Sequence, residues 1–275
     1  MGRRLGQHFL NDTAILDRIV ATLDPQADDV VIEIGPGKGS LTRRLAPRVA
    51  HVVAIEKDTV LANRLRDEGR ETRDAFWRDT VTVISGDALE IDWYGALSDA
   101  TRLASLVSRP VFKVIGNIPY QITSPLIEKA LTPPLPSVIV MLMQKEVADR
   151  LAAQPGSREY GGLTVGVRAV AAVERLFVVR AGAFQPPPKV DSAVVRFRPL
   201  AEPLISDAER GGFRTFVSGL FSRRRKQLGR SLRDVGGLSK EDAASVLAEA
   251  GIAETARPET VPPAGLVALF RRVSR

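Results

Sequence analysis

Short runs of apolar residues alternate with amphipathic stretches through the first two thirds of the chain. The runs are rich in valine and isoleucine, which predicts strands that are buried on both faces. Between them, apolar residues recur three and four positions apart, as they do on one face of a helix. This alternation is typical of a parallel sheet covered by helices and predicts an α/β fold. The five predicted strands are Val30–Ile34, His51–Glu56, Val81–Ser85, Val111–Ile115 and Ser137–Met143.

Helices and a hairpin complete this part of the chain. The first helix is expected over residues 12–23, with Asn11 or Asp12 as its N-terminal cap. The segments Arg175–Val179 and Ser192–Phe197 predict two strands that flank a proline-rich loop and form a hairpin at the sheet edge. Further helices are predicted from Leu41–Leu45, through Leu61 and Leu65, and at Pro125–Leu131 and Lys145–Ala153.

Beyond Pro203 the pattern becomes purely helical. We therefore expect an α/β domain over residues 1–202 and a small all-helical domain over residues 203–275. The predicted helices of the second domain cover residues 207–221, 223–235, 239–250 and 263–273.

The composition is that of a globular chain with a sizeable core, since 44% of the 275 residues are hydrophobic and 26% are charged. The absence of cysteine excludes disulfides, a thiol nucleophile and Cys-ligated zinc. His8 and His51 are the only histidines, so we expect no metal site. The apolar run Val138–Met143 is too short to span a membrane, and no apolar segment follows Arg3 and Arg4. These features predict a soluble cytoplasmic protein.

Positive charge is concentrated near the C-terminus. Residues 181–275 contain 16 Lys and Arg against 10 Asp and Glu, while the whole chain carries a net charge of +7. A phosphate backbone is the commonest partner of such a region, and a solvated surface is the alternative. Apolar residues between Phe213 and Leu232 recur three and four positions apart and predict one amphipathic helix. Its outward cations favour contact with a nucleic acid, and the segment contains Arg223, Arg224, Arg225, Lys226, Arg230 and Arg233.

A glycine-rich turn, Glu33-Ile-Gly-Pro-Gly-Lys-Gly39, directly follows the first predicted strand. Glycines let the backbone approach a ligand closely at the carboxyl end of a strand. The dinucleotide fingerprint needs glycine where Ser40 and Thr42 stand, which argues against a nicotinamide oxidoreductase. Glu33 instead favours a ligand that carries positive charge. A tight turn beside surface acids is the alternative interpretation.

Acidic residues stand at the ends of the next two predicted strands. Glu56 lies about 20 residues after the turn, where an acid accepts hydrogen bonds from ribose hydroxyls. Asp87, in Gly86-Asp87-Ala88, offers a carboxylate to an adenine amino group. A ribose, an adenine and a cationic centre together describe S-adenosylmethionine, which we expect as the cofactor.

The tetrapeptide Asn117-Ile118-Pro119-Tyr120 follows the fourth predicted strand. An exocyclic adenine amine is a poor nucleophile because its lone pair is conjugated into the ring. The Asn117 side-chain carbonyl and the Ile118 backbone carbonyl would accept hydrogen bonds from its two N–H groups. Pro119 would fix the turn, and Tyr120 would stack on the base and hold it in line. A purely structural turn is the alternative, and its position downstream of the glycine turn favours catalysis.

Nine motifs along the chain match one known family. They are Gly6–Asp12, Glu33–Gly37, Ile55-Glu56, Gly86–Ala88, Asn117–Tyr120, Gln144–Val147, Tyr160-Gly161, Phe184–Ser192 and Arg224–Leu228. Over essentially its full length the chain resembles the small-subunit ribosomal RNA adenine dimethyltransferases. The resemblance implies a Rossmann-like S-adenosylmethionine-dependent methyltransferase domain and a helical domain that helps to grip RNA. It also implies transfer of four methyl groups to two adjacent adenosines near the 3′ end of 16S rRNA in the 30S subunit.

The resemblance further implies roles for individual residues. The cofactor would contact His8, Leu10, Gly35, Gly37, Glu56, Asp87, Ala88 and Asn117. The catalytic set would be Asn117, Ile118, Pro119, Tyr120 and Phe184. Phe184 would form the second aromatic wall of the base pocket, with a core phenylalanine as the alternative. RNA would contact Arg223, Arg224, Arg225, Lys226 and Arg230, while Lys189 is either a phosphate contact or a plain loop cation.

Other adenine methyltransferases are the nearest alternative, acting either on large-subunit rRNA, as in macrolide resistance, or on DNA. The segments Phe184–Ser192 and Arg224–Leu228 favour the small-subunit enzymes. A ribosome-assembly factor that mainly binds immature subunits is the alternative outside enzymes, and the intact Asn117–Tyr120 turn favours catalysis. We expect a free enzyme that is monomeric and needs neither a metal nor a membrane.

Overall fold

The computed structural model describes residues 7–71, 75–103, 111–222 and 226–274. By its internal contacts the chain forms two compact units, of which the first comprises Met1–Ala148 and Glu174–Arg198. The second comprises Asp149–Val173 and Pro199–Arg275. The division after Arg198 lies close to the boundary expected at residue 202. Residues 149–173, which the sequence assigned to the first domain, belong to the second unit.

A seven-stranded sheet forms the centre of the first unit. The strands of the chain are β1 (Phe9–Leu10), β2 (Val30–Ile34), β3 (His51–Glu56), β4 (Val81–Ser85), β5 (Phe112–Asn117), β6 (Val138–Gln144), β7 (Ala171–Val179), β8 (Phe184–Gln185) and β9 (Ser192–Pro199). The order in the large sheet is β4-β3-β2-β5-β6-β9-β7. The first five strands run parallel to their neighbours, and β9 runs antiparallel to β6. The predicted α/β fold and the predicted pair of strands at the sheet edge are therefore confirmed.

Each helix predicted before residue 155 is present close to its expected position. The helices are α1 (Thr13–Leu23), α2 (Thr42–Leu45), α3 (Thr59–Glu71), α4 (Ala75–Thr80), α5 (Trp93–Leu103), α6 (Thr123–Ala130), α7 (Lys145–Ala152), α8 (Gly162–Arg168), α9 (Arg210–Phe221), α10 (Leu228–Gly236), α11 (Lys240–Glu249) and α12 (Pro263–Val273). The sequence did not predict α4, α5 and α8. Asp12 caps α1 by accepting a hydrogen bond from the Ile15 N–H at 3.0 Å. In the described ranges no helix is long and apolar enough to cross a membrane.

The core of the first unit explains the uniformly apolar strands. Every residue of β2 and β3 is buried, because helices cover the sheet. Leu16, Ile19 and Val20 of α1 and Leu45 of α2 belong to the same buried cluster as the sheet residues Val31, Val52 and Val140. The parallel pairing of β2 with β3 and β5 brings the ends of these strands to one edge of the sheet.

Residues 149–173 join the second unit through contacts that are distant in sequence. The Tyr160 side chain is fully buried, and its hydroxyl donates to the Val261 carbonyl at 2.8 Å. The Leu204 N–H donates to the Ala169 carbonyl at 2.8 Å. Such contacts leave no periodic signal in the sequence, which is why the predicted boundary assigned this segment to the other domain.

The prediction of one amphipathic helix between Phe213 and Leu232 is wrong, whereas the two helices also predicted, at residues 207–221 and 223–235, correspond to α9 and α10. The structure has two helices in this region, because α9 ends at Phe221 and α10 begins only at Leu228. Gln227, the residue before α10, has extended backbone with φ −66° and ψ 150°, which a continuous helix does not allow. The apolar positions are nevertheless buried as expected, since Phe213 and Leu232 are at most 1% exposed.

Candidate active site

The glycine-rich turn leaves β2 at the carboxyl edge of the sheet. Gly35 and Gly37 have φ values of +66° and +58°, in a region that favours glycine. The turn packs against the N-terminal segment, which contains β1. A Cβ atom on Gly37 would lie 3.0 Å from the Phe9 ring of this segment, so there is no room for a side chain at Gly37. The Gly35 N–H donates to the Ile55 carbonyl of β3 at 2.9 Å. The turn is thus fixed between a strand end and the N-terminal segment.

Glu56, the last residue of β3, holds the turn through its carboxylate. Oε2 accepts a hydrogen bond from the Gly37 N–H and Oε1 accepts one from the Asp58 N–H, both at 2.9 Å. Burial raises the pKa of Glu56, and the two backbone donors lower it in part. Each carboxylate oxygen keeps a lone pair, so Glu56 can still accept a hydrogen bond from a hydroxyl group. The predicted contact with a ribose is compatible with this geometry.

Asp87 follows β4 and is paired with a lysine that sequence reasoning missed. Its Oδ2 lies 2.5 Å from Lys57 Nζ, and its Oδ1 accepts a hydrogen bond from the Leu89 N–H at 2.9 Å. The lysine holds the pKa of Asp87 below its ordinary value, so the carboxylate is ionised at neutral pH. The neighbouring Ala88 is buried, and its carbonyl accepts from the Trp93 indole at 2.8 Å. An ionised acceptor of this kind suits an amino group.

Lys129 on α6 fixes the loop that contains Asp87. Its Nζ donates to the Leu89 carbonyl at 2.9 Å and to the Ile91 carbonyl at 2.6 Å. The same ammonium lies 5.3 Å from the centroid of the Trp93 ring. Because α6 comes soon after the Asn117–Tyr120 turn in the chain, Lys129 connects the loop after β4 to the helix that follows β5.

We expect Lys129→Met to weaken binding of S-adenosylmethionine, the cofactor predicted from the sequence, about 3- to 10-fold. The substitution removes the charged donor that holds two backbone carbonyls next to Asp87. Isothermal titration of the purified variant measures the affinity. Lys240→Met, at an exposed position in the second unit, serves as the control and should bind like the wild type. Equal affinities of all three proteins would show that the loop keeps its conformation without the Lys129 ammonium.

Glu33 is buried behind the turn, where it does not present a charge to solvent. The residue is 1% exposed, and neither its Oε2 nor the Thr42 hydroxyl has a hydrogen-bond partner among the described residues. Burial raises the pKa of Glu33 to about 7, although the nearby Thr42 lowers it in part. The sequence interpretation of Glu33 as a fixed negative charge for a cationic ligand is therefore not supported by this position.

The N-terminal segment pairs with the proline-rich loop. β1 runs antiparallel to β8, with Leu10 opposite Phe184. Both side chains are buried in the hydrophobic core, at 5% and 4% exposure. Because side chains alternate along a strand, this pairing turns Phe184 inward and leaves Gln185 exposed. The Phe184 ring, expected as a wall of the base pocket with a core phenylalanine as the alternative, lies in the hydrophobic core of this structure.

His8 meets the two residues that are expected to hold the target base. Its backbone carbonyl accepts a hydrogen bond from Asn117 Nδ2 at 3.1 Å. Its ring stacks on the Tyr120 ring, with centroids 6.3 Å apart and an interplanar angle of 25°. The ring Nδ1 lies 2.7 Å from the Pro186 carbonyl, which fixes the imidazole. The sequence placed His8 at the cofactor and gave no indication of these contacts.

The Asn117 amide is oriented by its bond to His8. Asn117 is the last residue of β5 and lies at the same sheet edge as the glycine turn. A Cβ atom on Gly35 would lie 3.6 Å from the Asn117 carbonyl, so the turn and the tetrapeptide are neighbours. With Nδ2 donating to His8, Oδ1 remains as an acceptor, and no described residue donates a hydrogen bond to it.

The rest of the tetrapeptide is attached to β6 and β9. Ile118 is buried, and its N–H donates to the Leu142 carbonyl at 3.0 Å. Pro119 continues in extended backbone with φ −56° and ψ 130°. The Tyr120 hydroxyl lies 3.0 Å from Ser192 Oγ. The turn therefore has a fixed backbone and a fixed tyrosine ring.

The expected RNA-binding cluster lies only in part within the described residues. Arg223, Arg224 and Arg225 lie outside the described residues. Lys226 is exposed just before α10, Arg230 is exposed in the first turn of α10, and Lys189 is exposed in the loop before β9. No group of His, Asp and Glu within the described ranges has the geometry to hold a metal ion.

Two solved structures share this fold over nearly the whole chain. The 23S rRNA methyltransferase ErmE has a TM-score of 0.72 at 29% identity, covering 97% of this chain and 100% of its own. A dimethyladenosine transferase from Plasmodium falciparum has a TM-score of 0.79 at 25% identity, covering 97% and 98%. The sheet order and the likeness to these two methyltransferases define the class of this protein. It is a Rossmann-like methyltransferase, with its glycine turn and polar strand ends at one edge of the sheet.

Sequence comparison narrows this class to one family. The chain belongs to the ribosomal RNA adenine dimethylase family, whose model matches residues 2–273. The chain is similar to a protein of Geobacter metallireducens that is named ribosomal RNA small subunit methyltransferase A. The two are 42% identical over 98% of this chain and 94% of that protein. The protein of that name in Bordetella pertussis is 39% identical over 97% and 92%. The family resemblance seen in the sequence motifs is confirmed, and the protein is an rRNA adenine methyltransferase.

Proposed function

We propose that the protein uses S-adenosylmethionine to dimethylate two adjacent adenosines near the 3′ end of 16S rRNA in the 30S subunit. The catalytic role proposed for the Asn117–Tyr120 turn rests on the observed orientation of the Asn117 side chain. Its Nδ2 is engaged by the His8 carbonyl, so its Oδ1 is the acceptor available at the end of β5. The choice of the small subunit follows the relatives at 42% and 39% identity, whose names specify that subunit.

The residues at the sheet edge fit S-adenosylmethionine. Glu56 and Asp87 are acidic acceptors at neighbouring strand ends and suit a ribose hydroxyl and an adenine amino group. Gly35 and Gly37 let the backbone approach the ligand closely. When bound, this cofactor supplies an electrophilic methyl group on a positively charged sulfur.

The tetrapeptide turn would activate and orient the target amine. Asn117 Oδ1 and the Ile118 carbonyl each accept one N–H of the amine, which directs the nitrogen lone pair away from the ring plane. The Tyr120 ring stacks on the base and holds the nitrogen in line for attack. After the first transfer one N–H remains, so a single acceptor suffices to orient the amine for the second methylation.

Transfer of labelled methyl groups from S-adenosylmethionine to unmethylated 30S subunits tests this proposal, with primer extension to map the modified nucleotides. Label on two adjacent adenosines near the 3′ end of 16S rRNA is the expected result. Label on 23S rRNA instead would contradict the choice of subunit and would match the substrate in the name of ErmE. Tight subunit binding without any label would favour the assembly-factor alternative.

We expect the double substitution Lys226→Glu with Arg230→Glu to weaken binding to the subunit and to reduce its dependence on salt. Removing one phosphate-binding cation lowers the slope of log affinity against log salt concentration by about 1. Filter binding at several salt concentrations measures both quantities. Lys240→Glu reverses an exposed charge in the same unit and is the control, with little change expected. An unchanged slope in the double variant would remove the start of α10 from the RNA interface.

A further inference from the structure

The Tyr120 ring has a partner outside its own turn. Its hydroxyl lies 3.0 Å from Ser192 Oγ, which is within hydrogen-bond distance. Ser192 is 1% exposed, and a buried hydroxyl requires a hydrogen-bond partner. The bond therefore satisfies Ser192 and at the same time restrains the far end of the tyrosine.

Ser192 belongs to a rigid part of the sheet. It is the first residue of β9 and lies opposite Gln144, the last residue of β6. The preceding Asp191 accepts a hydrogen bond from the Lys145 N–H at 3.0 Å through its carbonyl. The Leu142 carbonyl of β6 also accepts a hydrogen bond from the Ile118 N–H. The pair of strands β6 and β9 therefore holds both the backbone of the turn and the hydroxyl of Tyr120.

The two faces of the Tyr120 ring are not equivalent. His8 stacks on the ring at 6.3 Å, and no other aromatic ring in the described ranges stacks on it. A tyrosine ring is free to rotate about two side-chain bonds, and either rotation changes the plane that it offers to a base. The hydrogen bond to Ser192 opposes rotation about the Cα–Cβ bond, because that rotation moves the hydroxyl oxygen. Rotation about the Cβ–Cγ bond leaves the oxygen in place and is opposed by the stacked His8 ring.

We propose that Ser192 is a positioning residue for the target adenine, because its bond to the Tyr120 hydroxyl fixes the location of the ring on which the base stacks. The proposal rests on the stacking role of Tyr120 in the proposed function. A neutral hydrogen bond of this kind corresponds to a change of about 3- to 10-fold in rate when it is removed.

A double-mutant cycle in single-turnover methylation of 30S subunits tests the proposal. We expect Ser192→Ala and Tyr120→Phe each to lower kcat/KM for the RNA about 3- to 10-fold, and the double variant to lose no more than either single one. The affinity for S-adenosylmethionine should stay unchanged in all three. Ser231→Ala removes another fully buried serine hydroxyl, in the second unit, and should not alter the rate. Losses that multiply in the double variant, or a Ser192→Ala enzyme of wild-type rate, would overturn the proposal.

A second measurement needs no RNA substrate and separates this proposal from the proposed function. The chain has three tyrosines, so Tyr120 can be assigned in the spectrum of ¹³C-tyrosine-labelled protein by its disappearance in Tyr120→Phe. Ser192→Ala should shift and broaden the Tyr120 ring signals while those of Tyr94 and Tyr160 stay in place. Unchanged Tyr120 signals would refute the positioning role even if the wild type methylates no 30S subunits. If Ser192→Ala does not fold, the proposal depends on Tyr120→Phe, and a wild-type kcat/KM in that variant refutes it.

Discussion

Asn117→Ala is expected to reduce methyl transfer to rRNA about 100-fold or more, with weakened but measurable binding of S-adenosylmethionine. The substitution removes the Oδ1 acceptor that would orient the target amine. It also removes the hydrogen bond from Nδ2 to the His8 carbonyl, which holds the N-terminal segment against the turn. Single-turnover assays with saturating cofactor separate the loss in rate from the loss in binding, because only the former persists at saturation.

Asn63→Ala is a suitable control for this experiment, because Asn63 is an exposed asparagine on α3. It should retain the wild-type rate. Wild-type turnover in Asn117→Ala would show that the amine needs no acceptor at this position. A protein that transfers methyl groups normally but binds the cofactor weakly would assign Asn117 to the cofactor alone.

The stability of the Glu33→Gln variant, measured relative to the wild type, is expected to be higher at pH 8 than at pH 4. The pKa of Glu33 is about 7 in the folded protein, against 4.5 for an ordinary glutamate. The folded state therefore holds a proton that the unfolded state has released between these two values. The free energy of unfolding of the wild type falls as the pH rises through this window, by about 3 kcal/mol in total. Glutamine does not titrate, so the free energy of unfolding of the variant lacks this dependence on pH.

Urea unfolding of both proteins at pH 4, 6 and 8 measures the effect. A buried glutamine has its own cost, but that cost is the same at every pH, so the difference between pH 8 and pH 4 isolates the ionisation of Glu33. Parallel pH profiles for the wild type and Glu33→Gln would mean that the carboxyl is ionised at little cost in the folded state.

The central parallel strands can be predicted from the sequence to within two residues, whereas β1 and β8 have no counterpart among the predicted strands and β7 begins four residues earlier than predicted. Val30–Ile34 and His51–Glu56 begin and end where the apolar pattern predicts, because strands buried on both faces need uninterrupted apolar runs. Val81–Ser85 also has the predicted bounds, although its residues are only partly buried or exposed. The break between α9 and α10 agrees with the separate helices predicted at residues 207–221 and 223–235, although the apolar spacing stays in phase across it and also predicts one continuous helix. Periodicity reports which face of a segment is buried and does not report whether the backbone is continuous.

The candidate site is predictable where it follows the parallel sheet. Glu56 ends its strand as expected, and Asn117, expected just after its strand, is the last residue of β5; the carboxyl ends of parallel strands lie at one edge. Contacts between distant segments give no signal, such as the bond from Tyr120 to Ser192 and the pairing of Leu10 with Phe184. These contacts depend on tertiary packing, which a single sequence does not encode in any local pattern.

The way in which the N-terminal segment is attached has a practical consequence for handling the enzyme. A protease that cuts after Leu10 would leave the central sheet intact and would remove three interactions together. These are the carbonyl that orients Asn117, the imidazole on Tyr120 and the Phe9 ring against Gly37. A nicked sample would therefore keep its central sheet and yet transfer no methyl groups. Ligand-dependent protection of Phe9 and Leu10 from cleavage by chymotrypsin would report an assembled site before any turnover is measured.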